Sequence, residues 1–209
     1  MSTEENFEKA IKKLRATENK RKFNQTIDLV INLKEFDVRR ESFNLFVTLP
    51  NKIKEKKIIG IFEKKSTIID TITKDEFPKY KEKKDMKKLI KSYDAFIANA
   101  KLMPAIATSF GRGLGPAGKM PSPQLGILPN EEEKIVQAMI KKVNSTARIM
   151  VKEASIKAGI GKESLSDKEL LDNLVTAYSQ IMDALPKKRD NIRNIKLKLT
   201  MDKPVPVDF

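Results

Sequence analysis
Lys57-Ile-Ile-Gly-Ile-Phe62 is a short, near-continuous apolar run, and Tyr93-Asp-Ala-Phe-Ile-Ala98 is another of the same kind. Runs without alternation suit strands buried on both faces of a parallel α/β sheet. Nearer the termini the pattern changes. Ile27, Leu29, Ile31 and Leu33 alternate with Thr26, Asp28, Val30 and Asn32, and Phe43, Leu45, Val47 and Leu49 repeat the alternation before Pro50. It returns from about Ala147 with Ile149, Val151 and Ile156, and again where Ile195, Leu197, Leu199 and Met201 alternate with Lys196, Lys198 and Thr200. Period two marks a strand with one buried face.

Helices fill the gaps. Ser2 with Glu5 makes a capping-box pattern ahead of a Phe7, Ala10, Ile11 and Leu14 stripe, and Ser166 with Glu169 makes a second. The latter opens a helix through Leu170, Leu174, Tyr178, Ile181 and Leu185 that Pro186 stops. Met86, Leu89 and Ile90 belong to a basic helix; Ile135, Val136, Met139, Ile140 and Val143 stripe another. One-side-buried strands at both ends thus flank a two-side-buried middle. The expected fold is α/β (α+β) in two domains: a discontinuous antiparallel α+β domain from both termini, residues 1–57 plus 149–209, and an inserted Rossmann-like α/β domain, residues 58–148. Two chain crossings, near residues 56–60 and 146–152, permit hinge motion. One continuous α/β domain is the alternative that length allows.

Composition narrows the partner. The chain has 42 Lys+Arg against 28 Asp+Glu, a net charge of +14 over 209 residues, which points to an anionic partner. No stretch approaches the ~20 apolar residues of a spanning helix, and the N-terminus carries no signal-peptide pattern. Basic residues are spread along the chain instead of lining one apolar helix, so nucleic acid is favoured over a membrane surface. The absence of Cys and His excludes thiolate and imidazole metal sites, Cys nucleophiles and His-based triads. A carboxylate-only metal site or acid–base pair is the alternative left open, but the carboxylates mostly sit among lysines, as solvated faces do. Neither catalysis nor a cofactor or metal is expected.

Phe110-Gly-Arg-Gly-Leu-Gly-Pro-Ala-Gly-Lys-Met-Pro-Ser-Pro123 looks like a phosphate loop and is not one. From Gly113 it spells G-x-x-x-x-G-K, through Gly118 and Lys119, but Met120 stands where a Mg²⁺-binding hydroxyl is needed and Pro121 follows. Four glycines and three prolines in fourteen residues predict a fixed, irregular loop presenting backbone amides, Arg112 and Lys119 to a polyanion. A hinge turn has equal weight on residue types alone.

That loop, with Gly113, Gly115, Pro116, Gly118, Lys119, Met120 and Pro121, resembles the LGPRGxMPxP signature of the L-one family of large-subunit ribosomal proteins, which sit on the mobile stalk at the tRNA exit site. Three further blocks are similar to the family in the same order: Lys22-Phe-Asn-Gln-Thr-Ile-Asp28 with Leu33-Lys34, Tyr93–Ala98 with Leu102-Met-Pro104, and Lys196-Leu-Lys-Leu-Thr-Met201. The likeness covers essentially the whole chain and looks archaeal. It implies a non-enzymatic protein of the cytoplasmic ribosome, monomeric when free of it. The terminal domain would grip large-subunit rRNA, the inserted domain would add weaker contacts, and the stalk would help deacylated exit-site tRNA leave. The protein would also repress translation by binding its own mRNA.

The resemblance assigns rRNA binding to Lys22, Phe23, Asp28, Lys34, Lys196, Lys198, Thr200 and Met201. Phe23 would pack on a ribose or base edge, although an aromatic beside a strand is ordinarily core. Thr200 shares a strand face with Lys196 and Lys198, which suits 2′-hydroxyl and phosphate recognition on A-form RNA. Met201 falls on the buried face by strict alternation, so its contact needs the strand to end or twist there. Asp28, where the family has Glu, would accept from a 2′-hydroxyl or base amine or orient Lys22; Arg39 and Arg40 would meet phosphate. Arg112 and the Gly-Pro loop would be a hinge or a secondary RNA contact. Three features depart from the family: Asp202 replaces a Gly, Ala117 replaces an Arg, and the segment Glu63 to Thr73 is too short for a crossover helix. Two other readings stand beside this one: an RNA-binding regulator outside the ribosome, and a nucleotide-dependent enzyme using Gly113–Lys119.

Overall fold
Ile27, Leu29, Ile31 and Leu33 are all buried along strand β1, Thr26–Leu33, and the residues between them are half-buried. The computed structural model describes residues 3–16, 22–41, 43–80, 82–151 and 153–208. The chain forms two compact units, residues 1–54 with 145–209 and residues 55–144. In the first, β1 lies inside a four-stranded antiparallel sheet with β8 (Ser155–Lys162), β9 (Ile192–Leu199) and β10 (Val205–Val207), in the order β10-β9-β1-β8. Helix α1, Thr3–Arg15, buries Phe7, Ala10, Ile11 and Leu14 in the core under this sheet. Helix α6, Asp167–Ala184, buries Leu170, Leu174, Ala177 and Ile181 beside them. Each large apolar side chain removed from water contributes roughly 1.5–3 kcal/mol. Both helices therefore lie on one side of the sheet, and among the described residues of this unit no helix packs on its polar face.

The Ser166–Glu169 capping box is formed: the Ser166 hydroxyl accepts the Glu169 amide at 3.3 Å and the Glu169 carboxylate accepts the Ser166 amide at 3.0 Å. Hydrogen bonds from the Ser166 hydroxyl and amide hold the Glu169 carboxyl below its ordinary pKa. The Ser2–Glu5 pattern lies partly outside the described residues, since Ser2 is not among them. A short helix α2, Val38–Glu41, precedes β2 (Asn44–Thr48), which pairs with β7 (Thr146–Met150) in a separate antiparallel ribbon. Because β7 pairs with β2 from Thr146 onward, the first unit resumes at 145, ahead of the expected 149, and the outgoing boundary falls at 54/55, ahead of 57/58.

The second unit is three-layered. Parallel strands β3 (Ile58–Ile61), β4 (Asp70–Ile72), β5 (Ala95–Asn99) and β6 (Ile127–Leu128) take the order β4-β3-β5-β6. Helices α3 (Lys83–Ser92) and α4 (Met103–Ala117) bury Met86, Leu89, Ile106, Phe110 and Leu114 with Ile59, Ile61 and Phe96. Helix α5, Glu133–Ser145, buries Val136 and Val143 with Ile58, Phe62 and Ile97 in a second cluster. All four residues of β3 are buried, as the unbroken apolar run requires. The parallel connection from β3 to β4 holds no helix; Glu131 secures it, its carboxylate accepting the amides of Glu63 at 2.7 Å and Lys64 at 3.3 Å.

The Gly-Pro segment corrects the sequence reading. Phe110 to Ala117 is the last half of α4, not an irregular loop. Ile106, Phe110 and Leu114 recur every fourth residue and are all fully buried, so packing of that stripe overrides the poor propensity of Gly and Pro. Gly113 is where α3 comes closest: a Cβ there would stand 2.5 Å from Met86 Cγ. Gly118, at φ 68°, ends the helix in the left-handed conformation, its amide bonded to Gly115 O and that of Lys119 to Leu114 O.

Candidate nucleic-acid interface
Alternation along the four-stranded sheet sets one row of side chains on the face opposite α1 and α6. Strand β1 supplies Thr26, Asp28, Val30 and Asn32; β9 supplies Asn194, Lys196 and Lys198; β8 supplies Ser155, Lys157, Gly159 and Lys162. All are half-buried or exposed. Four lysines against one aspartate make the face cationic. Its far end is fixed by a polar chain across three strands: Ser155 Oγ donates to Asn32 Oδ1 at 3.0 Å, and Asn32 Nδ2 donates to Asn194 Oδ1 at 2.6 Å.

At the other end the segment entering β1 meets the turn leaving β9. Strand β9 stops at Leu199, so Thr200 and Met201 lie in a turn closed by the Asp202 amide on Leu199 O at 3.2 Å. Thr200 therefore does not continue the strand face of Lys196 and Lys198 as expected; its amide and hydroxyl both bond Thr26 O, at 3.1 and 3.2 Å. The same turn releases Met201 from strict alternation, leaving it 59 % exposed. Phe23 is 53 % exposed and is not the ordinary core aromatic that residue type alone favours. Lys22 is exposed beside it. Asp202 lies outside the left-handed region, so the backbone here accepts a side chain where the family has Gly.

Gln25 locks these two segments together, and sequence reasoning missed it. Its side chain is 1 % exposed; Oε1 accepts the Met201 amide at 3.1 Å, while Nε2 is buried without a partner among the described residues. Its backbone carbonyl accepts the Glu163 amide at 2.9 Å. Asn24 adds bonds to Ser164, donating to its Oγ at 2.9 Å and accepting its amide at 3.3 Å. The stretch bearing Phe23 is thus stapled on both sides.

Asp28 stands directly opposite Lys198 across the β1–β9 pair. Burial pushes its carboxyl above the ordinary carboxylate pKa, and the Lys198 ammonium opposes that shift. Lys34 is not part of this cluster. It follows the other end of β1, roughly 20 Å or more from the Thr200 turn at ~3.3 Å per residue, and its carbonyl accepts from Asn191 Nδ2 at 3.2 Å. Arg39 and Arg40 lie on α2, exposed, with Arg40 3.7 Å from Asp37.

The signature segment belongs to the second unit, and Lys119 is not presented to a polyanion. Its Nζ donates to Ile90 O at 2.6 Å and Tyr93 O at 2.7 Å, satisfying carbonyls at the C-terminus of α3. Met120 packs on the core there and Pro121 is buried, whereas Arg112, Gly115 and Pro116 are exposed on the last turns of α4. Nothing here cradles a nucleotide phosphate. The crevice between the carboxyl ends of β3 and β5, where sheets of this type hold ligands, contains the Glu131 carboxylate, which also accepts Asn99 Nδ2 at 2.6 Å.

Comparison with known proteins gives one consistent family. The model of the ribosomal protein L1p/L10e family matches residues 11–202. The chain is 35% identical to large ribosomal subunit protein uL1 of Nanoarchaeum equitans over 198 residues, covering 90% of this chain and 93% of the relative. It is 32% identical to uL1 of Thermococcus kodakarensis over 210 residues, 95% of each chain, and 34% identical to that of Thermofilum pendens over 215 residues, 96% and 92%. The matched span holds every candidate residue from Lys22 to Met201.

Proposed function
The chain belongs to the ribosomal protein L1p/L10e family, and from that premise we propose that it binds large-subunit rRNA through the open sheet face and rim of its first unit. It is a non-enzymatic protein of the large ribosomal subunit, as its relatives are named, and its place is the cytoplasmic ribosome. One observation carries the RNA reading: two large apolar side chains, Phe23 and Met201, stand bare at the rim of a cationic sheet face. Isolated apolar exposure is ordinary, but here hydrogen bonds hold both segments in place, the Met201 amide donating to the buried Gln25 side chain and the Thr200 hydroxyl to Thr26 O. A pre-ordered apolar rim beside lysines suits stacking on ribose or base edges while ammonium groups meet phosphate. Lys22, Asp28, Lys196, Lys198 and Thr200 complete that surface; Lys34 serves as a separate phosphate contact.

The reading extends to two further roles. The same face recognises a matching fold in the protein's own mRNA, which represses translation, and the stalk-borne protein assists departure of deacylated tRNA from the exit site. The free protein is a monomer. Filter binding of a stalk rRNA fragment against an unrelated hairpin of equal length, at two salt concentrations, tests the core claim. Preference for the stalk fragment that persists at high salt supports it; equal binding that vanishes with salt refutes it. Competition by the leader of its own mRNA tests repression.

A further inference from the structure
Three features coincide at one point on the open sheet face. Asp28 is half-buried there, yet among the described residues no hydrogen-bond donor or ion-pair partner reaches its carboxylate. Directly across the β1–β8 pair stands Gly159, the residue register-matched to Asp28. Between Ile27 and Asp28 the register slips: Ile27 faces Gly161 and Asp28 faces Gly159, leaving Ile160 as the extra residue of a β-bulge. The bulge is built into the fold, because the Ile160 carbonyl accepts Asn173 Nδ2 at 3.0 Å and the Ile160 side chain is fully buried. Bulges gather beside binding sites because they re-aim neighbouring side chains.

Gly159 is not required by backbone conformation, since its φ lies outside the left-handed range. A glycine inside a strand otherwise weakens it. What it does instead is spatial: a Cβ at 159 would stand 3.4 Å from Asp28 Oδ1 and 3.3 Å from Thr26 Cγ2. A side chain at 159 would therefore begin in contact with the carboxylate. Two lysines flank this position in the sheet, Lys198 opposite Asp28 on β9 and Lys162 opposite Thr26 on β8, the latter's Nζ donating to Asn24 O at 3.4 Å. An uncovered acceptor between cations matches a sugar hydroxyl lying between phosphates.

We propose that Gly159 and the bulge at Ile160 hold open a notch over Asp28 in which the ribose 2′-hydroxyl of a bound RNA donates to the carboxylate, making Gly159 a residue that selects RNA over DNA. The proposal rests on the reading that this face binds rRNA. A sugar hydroxyl is favoured over a base amine because A-form RNA offers its hydroxyls along a wide, shallow groove to a flat protein face.

The test uses the full-length protein, the stalk rRNA fragment and a set of that fragment carrying single 2′-deoxy nucleotides. With wild type, one position should lose about tenfold in affinity on deoxy substitution, the size of one good contact. Gly159→Val and Asp28→Ala should each bind the all-ribose fragment about tenfold more weakly and show no further loss at that position. Valine is favoured in strands, so Gly159→Val should keep its melting temperature, and Asp28→Ala provides an independent route should it not. Overturning results are the absence of any deoxy-sensitive position, unchanged affinity of a folded Gly159→Val, or a deoxy penalty that persists in Asp28→Ala. Sensitivity to inosine in place of guanosine, without sensitivity to deoxy substitution, overturns the sugar assignment in favour of a base amine. Equal binding of wild type to the stalk fragment and an unrelated hairpin overturns the parent reading and the notch with it; preference for the stalk fragment without the deoxy effect overturns the notch alone.

Discussion

The hydroxyl of Thr200 is held between both backbone polar groups of Thr26: it accepts the Thr26 amide at 3.1 Å and donates to the Thr26 carbonyl at 3.2 Å. A hydroxyl has one proton and two lone pairs. Its proton is committed inside the protein, so toward RNA Thr200 can only accept, from a 2′-hydroxyl or an amine. Its larger task is to close the end of the sheet.

Thr200→Ala should therefore act on two measurements at once. Losing a typical hydrogen bond costs ~0.5–1.5 kcal/mol of stability, and the loosened turn should weaken stalk-RNA binding by ~1–3 kcal/mol. Thr200→Ser, which keeps the hydroxyl, should restore both in thermal unfolding and filter binding. Full binding by the alanine variant would remove Thr200 from the interface.

Asp28 gives a pH-dependent prediction whose sign follows from its raised native pKa. An acid that holds its proton more tightly when folded is destabilised by ionisation. The penalty is absent below the unfolded pKa, grows as pH rises from the unfolded to the native value, and is constant above it. Burial is the cause and Lys198 offsets only part of it. Asp28→Asn should thus raise the melting temperature at pH 7 and leave it nearly unchanged near pH 3, while RNA affinity falls. Stability traded against binding at one residue is the signature of a functional site. A lower melting temperature at pH 7 would show that Asp28 stabilises the fold.

Lys119 separates the two units' roles. Its ammonium satisfies two carbonyls at the end of α3, so Lys119→Met should destabilise the second unit by ~1.5–3 kcal/mol, the range for hydrogen bonds to a charged group. Affinity for the isolated stalk fragment should be unchanged if, as proposed, the fragment meets the first unit. A loss as large as that of Thr200→Ala would place the second unit in direct contact with this RNA.

Much of the fold was legible because it rests on local periodicity. Ile27 to Leu33 alternate and one side is buried; Ile58 to Ile61 do not alternate and all four are buried. The second capping box needs only Ser166 and Glu169, three residues apart. Helix α4 was not legible, because glycine and proline punctuation outweighed the Ile106, Phe110 and Leu114 stripe that packs it. Lys119 read as a side chain presented to a polyanion because its true partners, the carbonyls of Ile90 and Tyr93, come from another helix end. Gln25 was invisible for the same reason: its partner Met201 lies 176 residues away in the chain.

Phe23 and Met201 yield the final prediction. Both are more than half exposed, so removing either gives up little burial within the protein. Phe23→Ala and Met201→Ala should melt close to wild type, yet each should weaken specific binding by ~1–3 kcal/mol if the side chain packs on RNA. Apolar groups release no counterions on binding, so the salt slope should stay as in wild type. Replacing Lys196 or Lys198 by Gln should instead reduce the magnitude of that slope by roughly 0.9 for each phosphate left without its ammonium. The two classes of variant therefore separate in one salt titration: parallel lines displaced downward for the apolar rim, shallower lines for the lysines. Shallower lines for Phe23→Ala would mean that its loss disorders Lys22 and the segment around it, and that Phe23 acts by positioning cations instead of by touching the RNA.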